Sequence, residues 1–178
     1  MKNLLLPIFV VLISSLTLVA CVGGSNNINL AQYSMTDGVS SKTLSSFSCV
    51  NVKLYGVLND GSIVVKTSDV ELRPATNHRW NGKLSEQLAL IMKDVMDRKD
   101  VGENVKAEIF VKDFSGAVSG DVCIDAFFKL SNNGQDFFSN SLIYNGKQKE
   151  PGYPALVNEL KKGWESLCEQ AVLTDSDQ

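Results

Sequence analysis

Two stretches of strict alternation limit the fold more than any other feature of this chain. In "NVKAEIFVKDF" (104–114), Val105, Ala107, Ile109 and Val111 recur at every second position. In "DVCIDAFFKL" (121–130), Val122, Ile124, Ala126, Phe128 and Leu130 do the same. A period of two gathers each set on one face of an extended strand and leaves polar residues on the other. Ser115 and Gly116 lead the first run towards the second, and "SNNGQ" (131–135) turns the second into a third, "DFFSNSLIYN". The three read as an antiparallel meander with one buried face.

That face needs a cover, and two stretches supply it. In "NGKLSEQLALIMKDVMDRKD", Leu84, Leu88, Ile91, Met92 and Val95 form one helical stripe, with Asn81 as the expected N-cap. Near the end, Leu156, Leu160, Trp164, Leu167, Cys168 and Ala171 make a second stripe, opposite Glu159, Lys161, Lys162 and Glu165. Earlier segments add strands. In "FSCVNVKLYG", Val50, Val52 and Leu54 alternate with Cys49, Asn51 and Lys53. "NDG" (59–61) is a turn, "SIVVKTS" and "DVELRP" follow as strands, and Pro74 ends the second. "ATNHRW" then reads as a polar loop, and "QYSM" as a short edge strand. The expected class is α+β: a mostly antiparallel sheet of about five to six strands with two amphipathic helices on one face. Its outer face would carry Cys49, Phe110, Cys123 and Phe127 among Lys and Asp, a protein contact if they cluster.

The N-terminus is different. Lys2 is the only charge in the first twenty residues, and Leu4 to Val19 are largely apolar, interrupted by Ser14 and Ser15. The stretch is short for a span, which needs about 20 apolar residues, and has the layout of an export signal. Leu18, Val19, Ala20 and Cys21 resemble the lipobox of bacterial lipoproteins: small residues beside the scissile bond, then a thiol to carry diacylglycerol. The other reading is a plain secretory signal cut after Ala20, with Cys21 an ordinary thiol. Val22 rather than Asp follows the cysteine, which leans towards the outer membrane. The expected organisation is a signal peptide (1–20), a lipidated N-terminus and tether (21–46), one domain (47–173) and a frayed tail (174–178). Ten tether residues, 22–31, span roughly 33 Å when extended.

The chemistry-bearing residues are few. Net charge is −3, from 17 Lys+Arg and 20 Asp+Glu, with no basic block, so nucleic acid is not an expected partner. The one histidine, His78, has no nucleophile motif around it. No Walker A sequence is present. Asp121 and Asp125 share a strand face; an acid/base pair and a solvated face are the two readings, and the solvated face is preferred. Cys49, Cys123 and Cys168 lack metal-ligand spacing, so no metal is expected. An oxidising compartment would permit a disulfide, Cys49 with Cys123, and leave one thiol; three free thiols are the alternative. No enzyme activity is expected, and no cofactor beyond the diacylglycerol and N-acyl chain on Cys21.

One segment carries a resemblance. "SIVVKTSDVELRPATNHRWNGKLSEQL" resembles the core of the ABC-type transport auxiliary lipoproteins, most closely the PqiC-like type, at Thr67, Ser68, Asp69 and Trp80. The later "VKDFSGAVSGDVCIDAFFKL", with Phe114 and Gly116, resembles the family's strand–turn–strand. "GYPALVNELKKGW", with Gly152, Tyr153 and Trp164, resembles its closing helix. These motif residues read as structural, Asp69 capping a turn and Trp80 seating a helix, with direct partner contact as the alternative for those two. The resemblance implies an outer-membrane-anchored, periplasm-facing subunit of an MCE-type intermembrane lipid transport system. Its partner would be an MCE-domain inner-membrane protein whose tunnel it docks, with a homo-oligomeric ring as the expected assembly. The competing reading is a tethered envelope assembly or secretion accessory lipoprotein on a similar domain.

Overall fold

The structure is a computed structural model and describes residues 29–40, 49–102 and 104–173. The expected leader, Cys21 with the rest of the expected lipobox, and residues 174–178, expected to fray, lie outside those residues. The expected meander forms the centre of the sheet: β5 (Val105–Ala117), β6 (Asp121–Asn132) and β7 (Gln135–Lys147), each antiparallel to the next. Asn133 and Gly134 both have positive φ, which fits the two-residue turn whose twist suits a tight hairpin. The inner faces of β5 and β6 are buried at every alternating position read from the sequence. Phe114 is buried as well, three residues after Val111, which strict alternation forbids. A bulge between Val111 and Asp113 resolves this: the extra residue, Lys112, returns Phe114 to the inner face.

The rest of the sheet departs from expectation in direction. β2 (Cys49–Leu54) runs parallel to the first half of β5, from Lys106 to Val111. A 3-10 turn, Gly56–Asp60, steps out of the sheet and hands the chain to β3 (Ser62–Lys66). β3 continues in the same direction along Ser115–Ala117. β4 (Leu72–Trp80) is antiparallel to β3, and β1 (Ala31–Tyr33) is parallel to β4. The result is a mixed seven-stranded sheet of order β1-β4-β3-β5-β6-β7, with β2 on the same edge of β5 as β3. It is α+β as expected, with more strands and far more parallel pairing. A half-buried strand alternates in the same way whichever direction its neighbour runs, so alternation could not reveal this.

Three further expectations need correction. β4 does not stop at Pro74 but runs on through the polar "ATNHRW". β1 reaches only His78, Arg79 and Trp80, so β4 is an edge strand at Pro74, where a missing N–H is tolerated. Within the expected tether (21–46), the short edge strand read at "QYSM" is present as β1, and Met35 is fixed in the core rather than left in a loose segment, its N–H donating to Gln87 Oε1 at 2.9 Å. The first helix, α1 (Leu84–Arg98), starts three residues after Asn81, which lies outside it. Asn81 instead donates its N–H to the Tyr33 carbonyl, and its own carbonyl accepts from Gln87 Nε2. Gln87, buried in α1, thereby ties both incoming chain segments to the helix.

α1 and α2 (Tyr153–Leu173) lie side by side on the inner face with the expected stripes buried. Close approach depends on missing side chains. A Cβ at Gly116 would sit 2.6 Å from Leu156, and one at Gly163, inside α2, would collide with Tyr144 and Ile124. Tyr144 uses that space to reach the buried Glu159, donating to its Oε1 at 2.5 Å, while Lys162 Nζ donates to the same oxygen at 3.1 Å.

The Tyr144 bond, first, and Lys162 hold the Glu159 carboxyl below its usual value near 4.5, against the opposing effect of burial. A depressed folded pKa stabilises above about pH 4.5 and loses that contribution as pH falls through the folded value. Tyr144→Phe leaves a buried carboxylate short of a donor, so it should cost about 1–3 kcal/mol at pH 7. The cost should shrink as pH is lowered from 7 through the folded value of Glu159, where the carboxylate takes up its proton. Urea unfolding across that pH range measures the difference, and a cost constant throughout would exclude the carboxylate as its source.

Candidate functional site

Side chains alternate out of the sheet opposite the helices. On that outer face Phe110 of β5 lies directly across from Phe127 of β6. Tyr55, just past β2, packs edge-on to Phe110 with ring centroids 6.1 Å apart. Tyr55 is 65% exposed and Phe110 38%. Phe110 and Phe127 border a shallow groove of about 200 Å³ rimmed by Asn51, Lys53, Glu108 and Lys129. Apolar rings inside a charged rim are the arrangement of a protein-contact surface. The sequence pointed to Phe110 and Phe127 but missed Tyr55. One more step of the Cys49-Asn51-Lys53 alternation would have found it.

The cysteines do not join this patch. Strand register sets Cys49 opposite Lys106 and Cys123 opposite Ser115, near the two ends of β5 and roughly 30 Å apart. A disulfide needs Cα atoms within about 7 Å, so the Cys49–Cys123 pairing raised from sequence is not made; Cys123 is a free thiol, and Cys168 is another, buried in α2. Near Cys123, Lys66 Nζ lies 2.5 Å from Asp113 Oδ2, and Ser115 Oγ donates to Asp113 Oδ1 at 2.5 Å. The Asp113 hydrogen bond raises the Lys66 pKa despite burial. Burial, first, and then the Asp113 charge raise that of Cys123. Both groups therefore hold their protons at neutral pH, the opposite of what an activated nucleophile requires.

Asp121 and Asp125 stand four residues apart along β6, roughly 13 Å. Asp121 accepts from Ser119 Oγ at 2.6 Å and pairs with Lys147, while Asp125 pairs with Lys112. The Ser119 bond, ahead of Lys147, lowers the Asp121 pKa. They are two separate surface ion pairs rather than an acid/base couple. His78 stacks on Tyr153 with centroids 3.7 Å apart, and its Nδ1 lies 2.9 Å from the Tyr33 hydroxyl. This joins β1, β4 and the first turn of α2. Among the described residues no cluster of three or more His, Cys, Asp or Glu is arranged to hold a metal ion.

The motif residues fall into two groups. Trp80, Tyr153 and Trp164 are packing centres: Trp80 is buried against Phe114 at 6.0 Å, and Gly152, at φ +114, turns the chain into α2 at Tyr153. Thr67, Ser68 and Asp69 open the β3–β4 turn. Ser68, not Asp69 as expected, caps it: Ser68 Oγ accepts from the N–H groups of Val70 and Glu71 at 3.4 and 3.2 Å. Thr67 Oγ1 donates to Glu71 Oε2 at 2.6 Å, and its N–H to the Glu71 carbonyl at 3.0 Å.

The model of the family described as "ABC-type transport auxiliary lipoprotein component" matches residues 33–172, from the end of β1 almost to the end of α2. The chain belongs to this family. No curated protein matches it. Among solved structures, one described only as an uncharacterized protein is 22% identical, with a TM-score of 0.67 over 80% of this chain and 95% of the other. A Xanthomonas campestris protein of the family designated DUF330 is 15% identical, with a TM-score of 0.57 over 71% of this chain and 82% of the other. Both show the shared fold. The protein is thus a component of the transport auxiliary lipoprotein class, and none of its described helices is long and apolar enough to cross a membrane.

The two groups of aromatics should separate in a stability measurement. Trp80→Ala removes a buried ring and should cost about 3–5 kcal/mol. Tyr55→Ser on the exposed patch should stay within about 0.5 kcal/mol of wild type. Thermal melts of both variants check this, and a large loss at Tyr55 would make the patch part of the core.

Proposed function

We propose that this protein is the outer-membrane-anchored, periplasm-facing subunit of an MCE-type intermembrane lipid transport system. It docks the periplasmic tunnel of an MCE-domain inner-membrane protein to the outer membrane. The observation that carries the reading is the outer-face patch of Tyr55, Phe110 and Phe127 on a domain matched almost end to end by a transport auxiliary lipoprotein family. The lipobox Leu18-Val19-Ala20-Cys21 supplies the anchor, and the residual chain before Ala31 the tether. The held protons of Lys66 and Cys123 favour binding over covalent chemistry. A homo-oligomeric ring fits the same reading. Among the described residues β7 pairs on one side only, and a repeated head-to-tail contact at that 13-residue edge closes a ring when the rotation allows.

Affinity recovery of the full-length lipidated protein from crosslinked envelopes, followed by proteomics, tests this reading. An MCE-domain protein should be recovered with wild type, lost with Cys21→Ala, and strongly reduced with Phe110→Glu at unchanged melting temperature. Recovery of cell-wall synthesis or secretion proteins in its place would favour an assembly accessory role.

A further inference from the structure

Three of the sheet's turns gather at one end of the molecule: residues 67–71, 118–120 and 148–152. Exposed apolar side chains stand at that end among charged ones. Val70 is 95% exposed, Val118 81% and Leu72 41%. They are neighbours, because Lys66 of β3 pairs with Leu72 on one side and Ala117 on the other, and the Val118 N–H donates to the Lys66 carbonyl. The Thr67 and Ser68 hydrogen bonds hold the β3–β4 turn in shape, so Val70 is presented outward by a capped turn.

The direction of the chain says what this end faces. β1 runs parallel to β4, and β4 starts at the apolar end. The backbone preceding Ala31 therefore arrives from the apolar end. Ala31 sits opposite His78, beside the start of β3, so that end lies about four strand residues away, roughly 13 Å. The ten residue-to-residue steps from Cys21 to Ala31 reach roughly 33 Å. They cover the distance to the apolar end with slack. To bring the opposite end, at the Asn133–Gly134 turn, onto the anchor's membrane, the same residues would have to double back over roughly 25 Å of sheet and stretch almost straight.

We propose that Val70, Leu72 and Val118 rest in the surface of the lipid layer that holds the acyl chains of Cys21. The inference rests on the lipidation reading above. It adds an orientation: sheet strands upright on the membrane, the outer aromatic face to the side. Contact is by shallow apolar insertion. Asp69 and Glu71 flank Val70 and keep it at the boundary between headgroups and acyl chains, where small apolar groups still gain by leaving water. Acidic and basic side chains alternate at this end, with Glu71 beside Arg73 and Asp121 beside Lys147. Anionic lipid is therefore not the attraction.

The test uses the full-length lipidated protein in vesicles of phosphatidylethanolamine and phosphatidylglycerol, with and without brominated acyl chains. Tryptophan is introduced singly as Val70→Trp and Val118→Trp, with Ile143→Trp, exposed on the outer face of β7, as control. Native Trp80 and Trp164 are buried and give the wild-type background. Brominated lipid should quench most of the added emission at positions 70 and 118, leave that at 143, and do so equally with high and low phosphatidylglycerol. Unquenched emission at 70 and 118 in vesicle-bound protein would overturn the orientation, as would equal quenching at 143. Flotation tests the anchor by itself. Wild type should float with vesicles and Cys21→Ala should not, and failure of wild type to float would remove the lipidation reading before any quenching is compared.

Discussion

Trp164 stands where both helices meet the sheet, and the remaining architecture depends on its seat. Its indole lies 6.2 Å from Phe114 and 5.4 Å from Phe128, ring centre to ring centre, and its Nε1–H donates to the Leu88 carbonyl of α1 at 3.0 Å. A fully buried indole must satisfy its N–H. Here the acceptor is a backbone carbonyl of the neighbouring helix, which fixes the two helices in register. The seat exists because Lys112 is an extra residue in β5. Without that bulge Phe114 would point outward, and Trp164 would lose one wall. A single inserted residue in a strand thus decides whether the helical layer can close.

Much of this was legible in the sequence, and the limits are physical. Period-two runs placed the inner faces of β2, β5 and β6, and period-3.6 stripes placed both helices, because burial on one side leaves a trace at every second or every third to fourth position. Strand direction leaves no such trace, so the parallel pairing of β1, β2 and β3 was hidden. "ATNHRW" looked like a loop because its strand character is imposed from far away in the chain, by Tyr33 pairing with Trp80 and by Tyr153 stacking on His78. The helix start escapes the sequence for a related reason. Asn81, a good N-cap residue by type, gives its N–H to Tyr33 in a different strand. At the β3–β4 turn both Ser68 and Asp69 are capping types, and only register shows that Ser68 Oγ takes the N–H groups of Val70 and Glu71.

The candidate site was half legible. Phe110 and Phe127 were placed on one face by alternation, and their register as direct cross-strand partners makes the patch. Cys49 and Cys123 share that face by the same rule but sit near opposite ends of β5. A shared face is a statement about direction only. Distance along the strand has to come from register, which alternation does not supply.

The fold separates its surfaces by kind. One sheet face is consumed by α1 and α2. The other displays rings and ion pairs to whatever lies beside the domain, and the strand ends display bare valines and a leucine. The chain enters β1 from the apolar end, so an anchor upstream, as proposed at Cys21, would draw that end towards its membrane. In the proposed orientation the aromatic face lies at right angles to that pull and would stay accessible to a neighbour. β1 is only three residues long, yet its parallel pairing with β4 sets this geometry. A reversed β1 would lead the preceding chain out past the opposite end of the strand, away from the exposed valines.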